Sequence, residues 1–138
     1  MTSIIRIIAA IALLFAGAAH ADVKTKGANG DEFTIHTATV QYSTVEKIDI
    51  AEALITSRSG RSGNAIRETW AFVNCGGPVG KAIRLEDGRI VEKETWVAGG
   101  DSVIDDLAAN TCNLAYIREA GDLLKALQTS SKAPKKNI

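Results

Sequence analysis

The chain has 138 residues, and its 16 lysines and arginines balance 16 aspartates and glutamates, so no long-range field favours nucleic acid or an anionic membrane. Its histidines are His20 and His36. Once a leader carrying His20 is removed, one imidazole is left, which excludes multi-histidine metal centres and two-histidine catalysis.

The leader is read from residues 1–21. Arg6 is the only side-chain charge ahead of an apolar run over 7–15, and small residues end in Ala19-His20-Ala21 before Asp22. That is the pattern of a secretory signal peptide. The run is shorter than the roughly 20 residues that span a bilayer, and position 22 holds no lipid-accepting cysteine. The expected mature chain of about 117 residues is periplasmic or secreted, without a stable membrane anchor, and suits one domain.

Residues 22–31 are polar and read as an arm or a turn. Residues 33–42 form a strand whose apolar face switches near 37–39, as at a bulge, with His36 turned away from Phe33 and Ile35. Residues 44–57 are ambiguous: Ile48 and Ile50 alternate like a strand, while Ala51-Glu52-Ala53-Leu54 favours a helix with Thr44 as N-cap. Helix is the expectation. Residues 58–64 break the pattern with small residues and two arginines. Arg58, Arg61 and Asn64 are the candidate contact residues, because guanidinium forks on a mobile loop suit carboxylates of a partner. Backbone N–H groups of the same loop offer an alternative anion cradle, although no P-loop motif is present.

Residues 65–75 carry apolar side chains on both faces, as a central strand does. Trp70 and Phe72 share one face, and Cys75-Gly76-Gly77-Pro78 ends the strand in a turn. Glu86-Asp87-Gly88-Arg89 marks a two-residue hairpin joining strands over 79–86 and 89–97. Its simplest register pairs Glu86 with Arg89, Leu85 with Ile90, Ile83 with Glu92, Lys81 with Glu94 and Val79 with Trp96. Ser102 and Asp105 form a capping-box pattern that starts a helix at Val103. Asn110-Thr111-Cys112-Asn113 divides it from a second helix over 114–128, a single bent helix being the alternative, with Leu114, Ile117, Leu124 and Leu127 as the buried stripe. Residues 129–138 read as a disordered basic tail.

Cys75 and Cys112, an even pair in an exported chain, are expected to form a disulfide. The expected fold is α+β in a single domain over 22–128. It has a small antiparallel sheet of about four strands, one helix in the N-terminal half, a C-terminal helical segment and that bond.

Loosely suggestive catalytic groups, His36, Cys75, Glu68, Asp105 and Asp106, have no diagnostic spacing. No catalytic residue, metal ligand or cofactor is therefore assigned. The expected function is non-catalytic binding of another envelope or secreted protein, in an accessory, inhibitor or immunity-like role. A small envelope hydrolase or a small-ligand or anion-binding protein is the alternative.

Overall fold

The computed structural model describes residues 21–132. Seven strands form one antiparallel sheet: β1 (Val23–Lys26), β2 (Glu32–Ile35), β3 (Gln41–Val45), β4 (Ile48–Arg58), β5 (Ala65–Val73), β6 (Val79–Glu86) and β7 (Arg89–Val97). A single helix, α1 (Val103–Lys132), follows them. The order across the sheet is β1-β2-β4-β5-β6-β7, with β3 also on β4. The predicted leader up to His20 and tail residues 133–138 lie outside the described residues, while 129–132 continue α1.

The expected four-strand sheet with a helix in the N-terminal half is thus corrected: the sheet has seven strands, and 48–58 is its longest. Ala51, Ala53 and Ile55 alternate inward along β4 and are fully buried. The two alanines that suggested a helix sit instead in one core cluster with Ala82 of β6 and with Ala108 and Ala115 of α1. Small side chains there let helix and sheet approach closely, and burial of that kind overrides a helix propensity of a few tenths of a kcal/mol per residue. Thr44, expected as an N-cap, instead donates to the Asp49 carboxylate.

The other strands that escaped notice have weak signals. β1 has one apolar residue and pairs with β2 as a lysine-bearing edge. β3 joins β4 through Glu46 and Lys47, which both adopt positive φ without glycine or asparagine. The face switch near 37–39 is a single 3₁₀ turn that splits the expected strand into β2 and β3, which pair with opposite halves of β4.

The 86–89 hairpin forms, with Asp87 and Gly88 at positive φ. Its first two pairs are as expected, but a bulge between Arg84 and Leu85 makes Val91 an extra residue in β7. Lys81 then pairs with Thr95, Ala82 with Glu94, Arg84 with Glu92 and Gly80 with Trp96. Trp96 is thereby turned inward over Gly80, where an added Cβ would lie 2.5 Å from the indole ring.

Ser102 and Asp105 cap α1 reciprocally: the Asp105 amide donates to Ser102 Oγ at 3.1 Å, and the Ser102 amide donates to Asp105 Oδ2 at 3.2 Å. No break occurs at 110–113, because Thr111 and Cys112 are buried inside a continuous helix and Cys112 is bonded to Cys75, with Cα atoms 5.6 Å apart. The bond ties the turn after β5 to the first third of α1. Of the expected buried stripe, only Leu114 packs against the core; Ile117, Leu124 and Leu127 are exposed.

Candidate functional site

The suggestive acids and bases do not converge. Cys75 is in the disulfide. His36 Nε2 lies 2.6 Å from Thr56 Oγ1 and its Nδ1 3.3 Å from Asp22 Oδ2. Glu68 and Glu92 both hold the Arg84 Nε, at 2.9 and 2.8 Å, and the hydrogen bond to Glu92 raises the guanidinium's pKa. Asp105 accepts from the Val97 amide at 2.8 Å as well as capping α1. Those bonds, the one from Val97 first, hold its carboxyl below the usual range. Among the described residues, no three His, Cys, Asp or Glu side chains group as metal ligands.

One cleft of about 240 Å³ lies beside the disulfide, between Gly76, Gly77, Trp96 and Gly99 on one side and Cys112 and Tyr116 on the other. Of its polar lining, Asp105 is engaged as above and Tyr116 donates to Asp49 outside the cleft. Asp49 accepts from Tyr42 at 2.7 Å, Thr44 at 3.2 Å and Tyr116 at 3.1 Å, so its carboxyl is held down, chiefly by Tyr42. Burial, then the bond to Asp49, pushes the Tyr116 phenol up. A depressed carboxylate locked between raised phenols is a structural clasp, not an acid–base pair.

The 58–64 turn is ordered by its own bonds. The amides of Gly60, Arg61, Ser62, Gly63 and Asn64 all donate, to Asp31 Oδ1, Ser59 Oγ twice, the Ser59 carbonyl and Ser62 Oγ. None is left for an anion cradle. Arg58 Nη1 donates to the Gly63 carbonyl at 3.1 Å, while Arg61 and Asn64 are exposed.

What the fold assembles around Arg58 is larger. The buried face of the sheet, with Ile35, Ala53, Trp70, Phe72 and Trp96, lies under α1. No described element covers the opposite face. Cross-strand partners share a face, so the registers place Leu54, Thr69, Ala71, Ile83 and Leu85 at its centre. Ala71 is buried and the others are half-buried. Around them stand Lys24, Lys26, Arg58, Arg67, Lys81 and Lys93, all exposed, against two acids, Glu32 and Glu52.

This segregation depends on the Val91 bulge. Without it, Glu92 and Glu94 would share the open face with Lys81, as the simplest register implies. The one-residue shift sends both glutamates to the other face and brings Lys93 onto the open one. Overall charge neutrality conceals a basic sheet face, and sequence reasoning missed Arg67, Lys81 and Lys93 because their common side is set by that register. The available signal was alternation, since Arg58 and Arg67 both lie in strands and become neighbours only once 48–58 is read as one. No protein-family model matches the chain, no curated protein matches it, and no solved structure matches it.

Proposed function

We propose that this is an exported, non-catalytic protein of the periplasm or extracellular space that acts by holding the acidic surface of another protein against the open face of its sheet. The observation that carries the reading is the ring of six cations and two acids around a half-buried aliphatic centre, on a face that no described element covers. An uncharged core inside a charged rim is the anatomy of a protein contact, with the rim steering approach and rejecting basic partners. Arg58 belongs to this rim, so the contact expected at the 58–64 turn becomes one corner of a broader surface.

Nucleic acid fits less well, because the strand residues of this face include no Phe, Tyr or Trp on which bases stack. A lipid surface also fits less well. The central aliphatics lie half-buried within the sheet, and the exposed aliphatics of this face, among them Ile48, Val79, Ile90 and Val97, stand at strand ends rather than as one anchor at its centre. Export is supported by the disulfide and by the leader pattern, and no helix among the described residues is long and apolar enough to cross a membrane.

The test compares the wild type with an Arg67→Glu, Lys81→Glu, Lys93→Glu variant, as baits for envelope proteins and then by calorimetry with the purified, retained protein. The expected result is an acidic partner whose affinity falls with added salt and drops at least tenfold in the variant, about 1.4 kcal/mol. Equal binding by the variant, retention only on anionic vesicles, or turnover of a substrate by the pure protein would each overturn the proposal.

A further inference from the structure

The two halves of α1 carry their apolar side chains on opposite faces. In the first half Leu107, Ala108, Thr111 and Ala115 are buried against the sheet. At about 100° per residue, Ala120 falls on the side opposite Thr111. Ile117, Leu124 and Leu127 flank that position at three- and four-residue spacing and are 55%, 60% and 58% exposed. This apolar face points away from the protein's own sheet, so no swing of the helix onto the sheet can bury it. Gly121 supplies a second observation, since a Cβ added there would meet nothing within 4 Å. A glycine inside a helix costs roughly 0.5–1 kcal/mol relative to alanine, and packing among the described residues does not explain this one.

We infer that a second copy of this chain covers the face, the two α1 helices crossing antiparallel about Ala120 and Gly121. Three features select this occupant. The positions that line the seam, from Tyr116 to Leu127, carry no charge on the apolar side, so two identical faces meet without repulsion. The polar side of the same stretch has Arg118 and Lys125 against Glu119 and Asp122. Within this stretch that balance gives no attraction to an anionic lipid surface, and the lysines that follow it in sequence, Lys132, Lys135 and Lys136, are what the vesicle arm of the test addresses. The apolar side also runs into the cleft, whose helical wall includes Asn113 and Tyr116. An antiparallel pair centred on Ala120 brings Leu127 of the second copy to the mouth of that cleft. A parallel pair would instead set Asp106 against its own counterpart. Small residues at the crossing allow the helix backbones to approach closely.

This inference does not depend on the open sheet face, and its test is separate. The full mature chain is expected to sediment as a dimer. Leu124→Glu with Leu127→Glu should raise the dimer dissociation constant at least about 100-fold, yet leave the monomer's melting nearly unchanged, because both side chains are already exposed. Ala120→Cys should cross-link two copies under mild oxidation, whereas Asp122→Cys, on the sheet side of the helix, should not. A wild type that stays monomeric at roughly 100 μM, a dimer indifferent to the double substitution, or a monomer that floats with phosphatidylglycerol vesicles would overturn it. The Arg67, Lys81 and Lys93 reversals should leave the dimer intact.

Discussion

Thr111 offers a sharp test of the core. Its side chain is fully buried in α1, and its Oγ1 has no hydrogen-bond partner among the described residues. A buried hydroxyl without a partner forfeits its hydration and costs about 1–3 kcal/mol. Thr111→Val replaces that hydroxyl with a methyl of nearly the same shape, and the two β-branched residues have similar helix propensity, so the gain is the recovered desolvation penalty, about 1–2 kcal/mol. With an unfolding entropy near 2.1 cal/mol/K per residue, a domain of this size should melt about 4–8 °C higher. Thr111→Ser keeps the orphan hydroxyl and removes a methyl, so it should lose about 1 kcal/mol. Calorimetry of both variants at neutral pH checks the pair. A lower melting temperature for the valine variant would show that the hydroxyl is satisfied in the folded protein and that the accounting is wrong.

Replacing Cys75 and Cys112 together by alanine should cost roughly 4 kcal/mol in urea titration, since the bond joins residues 37 apart in sequence; a loss below about 1 kcal/mol would mean that the unfolded chain is already constrained there. Gly60→Val should lower the melting temperature more than Gly88→Val. A Cβ at Gly60 runs into the Asn29 and Gly30 backbone, whereas Gly88 has open space and only a positive φ to lose. Glu46→Asn with Lys47→Gly relieves two left-handed side-chain residues in the β3–β4 turn and should add about 1 kcal/mol, measured by the same titration. The Asp105 carboxyl is held below its ordinary value in the folded protein, so its stabilisation is complete above the unfolded pKa of about 3.9 and is lost as pH falls through the lower folded value. The loss of stability between neutral and strongly acidic pH should therefore be smaller in Asp105→Asn than in the wild type.

Local chemistry was enough to locate the hairpin at Asp87-Gly88, the helix start at Ser102 and Val103, and the pairing of Cys75 with Cys112. Two positive-φ residues, a reciprocal cap and an even number of thiols are each decided within a few residues or by simple exclusion. Residues 44–57 were different. Ala51 and Ala53 suit a helix in isolation, and only the helix lying over the sheet makes small residues in a strand the better solution. The break expected at 110–113 failed for a related reason, because tertiary burial of Thr111 and Cys112 outweighs their modest propensities. The candidate surface was hidden most deeply. Whether Lys81 faces Glu94 or stands beside Lys93 turns on one extra residue at Val91, and a period-two pattern cannot report its own register. Composition showed a neutral chain; the sheet sorted its charges by face, because pairing across strands decides which alternating residues share a side.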